Sequence, residues 1–221
     1  MIIKRMTIFA GHYGSGKTNI AINYALFLKR QSLTVSIGDL DIVNPYFRTK
    51  DGERVLNENE VRLISSKYAG SNIDLPSIPA EIYSLIDDKS VHAVMDVGGD
   101  DRGALALGRY ADKIKEENDY EMLFVINKFR PLTANIKGVK EIKTEIENSC
   151  KLPFTAIVNN SNIGEDTTAL DVISSLEYAK EVSDGVHLPI KMTAVKNDLF
   201  EELKGKVYDL FPIQIYVRQG L

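Results

Sequence analysis

The feature that most constrains this chain is the run Gly11-His12-Tyr13-Gly14-Ser15-Gly16-Lys17-Thr18, an unbroken G-x-x-x-x-G-K-[ST] pattern between two segments of different periodicity. Ahead of it, Met6 to Ala10 has the apolar character of a buried strand. After it, Asn19 to Arg30 places Ile20, Ala21, Tyr24, Ala25 and Leu28 at helical spacing. A glycine-rich turn from strand into helix lets consecutive backbone N–H groups converge, and the helix N-terminus adds partial positive charge, so the natural guest is a phosphate. Lys17 is expected to meet the outer phosphates as a point charge, and the Thr18 hydroxyl to ligate a Mg2+ completed by phosphate and water oxygens. The expected phosphate-binding set is Gly11, His12, Tyr13, Gly14, Ser15, Gly16, Lys17, Thr18 and Asn19.

Further apolar runs recur at Leu33–Ile37, Val61–Ile64, Val91–Val97, Met122–Ile126, Phe154–Val158 and Leu188–Met192. Helical patterns fall near Ala80–Asp87, Gly103–Lys115, Asn135–Asn148, Ala169–Ser183 and Leu199–Leu210, with Pro212 stopping the last and Ile213–Val217 alternating like a closing edge strand. Near-continuous hydrophobic strands alternating with helices predict a mostly parallel central sheet with helices on both faces, the three-layer α/β fold of a P-loop nucleotide-binding domain. Without a linker, repeat or low-complexity stretch, residues 1–221 read as a single domain.

A formal charge of −4 supplies no electrostatic reason to expect nucleic acid as a partner. The lone Cys150 excludes an internal disulfide and a multi-cysteine zinc site, which points to a reducing, cytoplasmic setting. No run approaches the twenty or so apolar residues of a spanning helix, and the stripe Leu203, Val207, Leu210 and Phe211 reads as core packing rather than a membrane anchor. His92 and His187 have no metal spacing and read as structural.

In a parallel α/β sheet, ligands bind beyond the carboxyl ends of the strands, so acidic residues there carry weight. Asp39 and Asp41 end the second strand. Asp96 directly follows an apolar run, where a carboxylate can hold Mg2+ through water, and Gly98 and Gly99 would let the backbone approach a γ-phosphate.

With G-x-x-x-x-G-K-T at 11–18, D-x-D at Asp39 and Asp41, and D-x-G-G at 96–99, the chain resembles the MinD/ParA and CobQ/CobB group of P-loop ATPases over most of its length. The resemblance implies that Lys17, Asp39 and Asp41 form the catalytic set. Asp41 would orient the attacking water, and Asp39 would support a Mg2+ shell shared with Thr18 and Asp96. It also implies adenine recognition at the ends of later strands, with Asn159 the foremost candidate. Asn127-Lys128-Phe129-Arg130 partly matches the guanine signature N-K-x-D, but Arg130 stands where the aspartate is required, which favours ATP. Sandwich-dimer relatives carry a second lysine after the first loop glycine, where this chain has His12. The expected function is therefore a Mg2+-dependent, slow ATPase acting as a conformational or assembly switch. A nucleotide-dependent homodimer and an unidentified protein partner go with that reading. The alternative is an ATP-dependent biosynthetic ligase or transferase resembling dethiobiotin synthetase or the nucleotide domains of cobyrinate amidases.

Overall fold

The computed structural model describes residues 2–40, 52–65, 81–98 and 101–217. Among the described residues, eight strands form one sheet: β1 (Met6–Ala10), β2 (Val35–Leu40), β3 (Arg62–Ile64), β4 (His92–Val97), β5 (Tyr120–Ile126), β6 (Ala156–Asn159), β7 (Ile190–Lys196) and β8 (Leu210–Ile213). Their order is β3-β2-β4-β1-β5-β6-β7-β8, and every neighbouring pair is parallel. The helices are α1 (Lys17–Arg30), α2 (Glu53–Glu58), α3 (Ile82–Asp87), α4 (Asp101–Gly108), α5 (Ala111–Glu117), α6 (Ile136–Cys150), α7 (Ala169–Val186) and α8 (Phe200–Leu203).

Strand alternation sorts the core into two faces. Met6, Ile8 and Ala10 of β1 join Met122, Phe124 and Ile126 of β5 beneath α3 to α7, whereas Phe9, Leu123 and Val125 point to the opposite face beneath α1 and α2. Asp39 and Asp96 share the α1 face with Phe9, because they lie at even spacing from Ile37 and Val94. The three-layer fold expected from the sequence is thus present.

Three local expectations are corrected. The pattern at Gly103–Lys115 is two helices, because α4 ends at Gly108, where a Cβ would lie 2.6 Å from the Ser149 carbonyl oxygen, and α5 starts afresh at Ala111. The pattern at Leu199–Leu210 shrinks to the single turn of α8, which gives way to Gly205 at φ 80. The closing strand is Leu210–Ile213, with Pro212 tolerated at the sheet edge, rather than Ile213–Val217.

Residues 214–217 instead run along α1, held by two asparagines one turn apart. Asn23 Nδ2 donates to the Gln214 carbonyl (2.8 Å), and Asn23 Oδ1 accepts from the Gln214 N–H (2.9 Å). Asn19 Oδ1 accepts from the N–H groups of Tyr216 (2.9 Å) and Val217 (3.0 Å), and its Nδ2 donates to the Val217 carbonyl (2.8 Å). The two amides stand in for a strand edge and cover part of α1, which is buried almost all round. Leu203 and Val207 are buried with Leu210 packed beside them, and Phe211 joins the α1-face core, so the stripe is core. Among the described residues, no helix is long and apolar enough to cross a membrane.

Candidate functional site

The strand order reverses direction at β1, since the chain passes from β1 outward to β2 and β3 on one side and later to β5 and β6 on the other. The crevice at such a switch point is where a doubly wound sheet places its ligand. Residues 11–16 fill it, leaving the carboxyl end of β1 and entering α1.

The loop conformation follows from its glycines. Gly16 caps α1 in the left-handed region (φ 86), and a Cβ there would sit 2.3 Å from Asn160 Nδ2, so only glycine fits. Because the cap is glycine, no side chain caps α1, and its first turn carries no acidic residue. A 14-residue helix therefore presents its positive end without an internal anion to answer it.

Three loop carbonyls accept from side chains, two of them from outside the loop. Lys17 Nζ donates to the His12 carbonyl (3.3 Å), Arg130 Nε to the Gly14 carbonyl (2.9 Å) and Asn160 Nδ2 to the Ser15 carbonyl (2.6 Å). Ser15 N–H also donates to the His12 carbonyl (3.2 Å), closing a turn within the loop, so the loop conformation is fixed by its own backbone as well as by these side-chain donors. Ser15 is 1% exposed, and its Oγ makes no hydrogen bond. A buried hydroxyl in that state costs roughly 1–3 kcal/mol, a cost a bound phosphate oxygen would relieve.

The acidic residues converge as their strand positions require. Asp39 pairs in register with Asp96 across β2 and β4, and Asp96 also pairs with Phe9 of β1. Both carboxylates are buried, Asp96 completely. Lys17 and Thr18 are buried at the start of α1 on the same face. Asp39, Asp96 and Thr18 are thus the described groups able to serve a cation. Among the described residues, no cluster of three or more His, Cys, Asp or Glu gathers to hold a metal. Asp41 and Gly99 lie outside the described residues.

The wall beyond β5 and β6 is a polar network. Asn127 Nδ2 donates to the Asn162 carbonyl (3.0 Å), and Ser161 Oγ accepts from the Lys128 N–H (3.0 Å). Asn159 is fully buried; its Nδ2 donates to Ser175 Oγ (2.9 Å) and its Oδ1 accepts from Ser161 Oγ (2.7 Å). Its amide is therefore engaged in shaping the loop. Asn19 is likewise engaged, with the 214–217 segment. Lys128 Nζ donates away from the phosphate loop, to the Ser174 carbonyl (2.8 Å).

At the loop itself, Tyr13 is 53% exposed, while His12 is half-buried with Nδ1 2.8 Å from the Tyr13 carbonyl. Burial lowers the His12 pKa; the Tyr13 contact opposes it, and the Lys17 and Arg130 charges lower it further. The imidazole is neutral at pH 7, so the fixed charge of a second loop lysine is not reproduced. Burial also lowers the pKa of His92 at the start of β4, and His187 ends α7 in the left-handed region, both structural placements. Cys150 is a buried thiol at the end of α6, its pKa raised by burial.

Sequence reasoning placed Ser15 in the phosphate-binding set without a role for its hydroxyl, did not single out Asn160, and weighed Arg130 only as a missing aspartate. The signal available for all three was position: the first turn after a strand's carboxyl end, or the loop itself.

No protein-family model and no curated protein sequence matches this chain. Among solved structures it is similar to FtsY from Thermotoga maritima, with 18% identity over 86% of this chain and 61% of that one and a TM-score of 0.58. It is also similar to FtsY from Mycoplasma mycoides, at 17% identity over 88% and 60% with a TM-score of 0.56. A third likeness is to the signal recognition particle 54 kDa protein from Aeropyrum pernix in complex with GDP, at 17% over 85% and 40% with a TM-score of 0.53. The fold is that of the P-loop NTPases. The chain spans about three-fifths of the length of the FtsY structures it matches.

Proposed function

We propose that this protein binds a nucleoside triphosphate with Mg2+ and hydrolyses it slowly, using the change as a conformational or assembly switch. The observation that carries the reading is the phosphate loop, with its Gly14 and Ser15 carbonyls tied outward, its helix without a side-chain cap and a buried hydroxyl without a hydrogen bond. Lys17 neutralises the outer phosphates, Thr18 ligates Mg2+, and Asp96 and Asp39 support the cation's water shell. In the MinD/ParA-like reading, Asp41 orients the attacking water. Positioning and charge neutralisation are the larger part of phosphoryl transfer, so these groups suffice for slow turnover. A nucleotide-dependent homodimer and a protein partner complete the reading, with His12 in the place of the second lysine.

The nucleotide proposed is ATP. Guanine presents N1–H and N2–H donors that a carboxylate accepts, and Arg130 has none to offer. The competing nucleotide is GTP, favoured by the GDP held on this fold by the Aeropyrum pernix protein. The base wall proposed is the network around Asn127 and Asn159, with Asn159 shaping the loop that meets the base. Calorimetric titration with Mg·ATP and Mg·GTP decides between them. Wild-type protein should bind Mg·ATP more tightly, and folded Lys17→Ala should lose at least tenfold in affinity. Equal affinity in that variant would remove the phosphate-loop assignment.

A further inference from the structure

Resting on the nucleotide reading above, we propose that Arg130 is a positioning residue of the phosphate site, holding the loop through Gly14 and supplying a second fixed cation beside Lys17 for the polyphosphate. Arg130 follows β5, the strand next to β1, so the topology brings it to the loop from the side opposite β4. Its Nε donates to the Gly14 carbonyl at 2.9 Å, and a Cβ built on Gly14 would lie 3.3 Å from Nε and 3.4 Å from Cζ, so the guanidinium closely approaches the loop at Gly14. The glycine at this position thus admits an arginine as well as a left-handed turn (φ 76).

Two further observations agree. The His12 pKa is lowered first by burial, and Arg130 acts in the same direction as Lys17 but least of the causes, with the Tyr13 carbonyl and Glu145 opposing. Lys128, the other cation of the same turn, is directed to the Ser174 carbonyl on α7, so Arg130 is the cation this turn delivers to the loop. The backbone around it is braced: Arg130 N–H donates to the Asn127 carbonyl (3.1 Å), Thr133 Oγ1 donates to the same carbonyl (2.7 Å), and Thr133 N–H donates to the Arg130 carbonyl (3.0 Å). A cation fixed on a braced turn loses little freedom when the anion arrives, and a guanidinium stays charged at any working pH.

A fixed charge near the polyphosphate has a signature that a merely structural contact lacks: its contribution grows with the number of phosphates. The test is calorimetric titration of Mg·ATP and of AMP against wild type, Arg130→Gln, Arg130→Met and Arg130→Lys, each checked for folding by thermal unfolding. Both neutral variants should lose about tenfold or more for Mg·ATP and less than about threefold for AMP. Arg130→Lys should recover part of the Mg·ATP loss. If Gln at 130 does not fold, the Met variant is read alone. If neither neutral variant folds, the wild-type His12 titration followed by NMR must lie below that of Arg130→Lys, whose charge is withdrawn from the Gly14 carbonyl; coincident curves overturn the proposal. Equal losses for Mg·ATP and AMP, no loss, or a lysine variant no better than glutamine also overturn it. Wild-type protein that is folded and binds no nucleotide would instead strike the nucleotide reading itself.

Discussion

At the scale of single residues, His12 decides how the loop responds to pH. Its pKa is lowered first by burial and then by Lys17 and Arg130, so in the free protein the neutral imidazole prevails at neutral pH. Because the folded-state value lies below that of the unfolded chain, protonation favours unfolding. Stability is then lost as pH falls through the unfolded-state value of about 6.5. An incoming polyphosphate reverses the local field and raises the same pKa, so binding should take up a proton. Mg·ATP affinity should therefore strengthen between pH 8 and pH 6, and His12→Gln should flatten that slope; a parallel slope in the variant would show that His12 is not the group that couples them. The residues of the proposed site are unequally legible in the sequence. Lys17, Thr18 and Asp96 are marked by a motif or a strand end. Asn160 is not, since nothing in Asn159-Asn160-Ser161-Asn162 says which of three asparagines turns toward the loop until the β6 register is known.

At the scale of elements, two of the three departures from expectation share one cause, tertiary contact overriding local pattern, while α8 is cut short locally by Gly205 at φ 80. The helical spacing of Gly103–Lys115 is real, but the close approach of Gly108 to the end of α6 stops one helix and starts another. The alternation of Ile213–Val217 is equally real, yet its partner is a pair of asparagines on α1 rather than a strand. Periodicity reports that a segment has a buried face and does not report what covers it. The asparagine pair makes a prediction at this scale. Asn23→Ala removes two hydrogen bonds to Gln214 and leaves a backbone N–H and carbonyl without that partner, so unfolding free energy in urea should drop by about 1–3 kcal/mol. Hydrogen exchange should quicken at Gln214 and Tyr216 while β1 to β5 stay protected; unchanged exchange there would show that the asparagines do not hold the segment.

At the scale of the whole molecule, the phosphate loop is where otherwise separate parts meet. Asn160 reaches it from β6, Arg130 from the turn after β5, and Asp96 faces β1 from β4, while α1 carries the 214–217 segment on its far side. A ligand seated there ties both halves of the sheet to α1, so binding should be read by the entire domain as a single cooperative gain in stability. For a ligand that binds only the folded chain, that gain is about 2.7 kcal/mol at a concentration near 100 Kd. In a domain of this size it corresponds to a rise of roughly 5–10 °C in unfolding temperature. The rise expected with Mg·ATP should be lost in Lys17→Ala, which removes the central charge, and should shrink when EDTA withdraws Mg2+, since Thr18 and the strand-end carboxylates then have no cation through which to act. Differential scanning calorimetry measures the wild type with and without EDTA and the Lys17→Ala variant under the same ligand conditions. A rise of the same size in Lys17→Ala would mean that the nucleotide stabilises the fold from somewhere other than the loop.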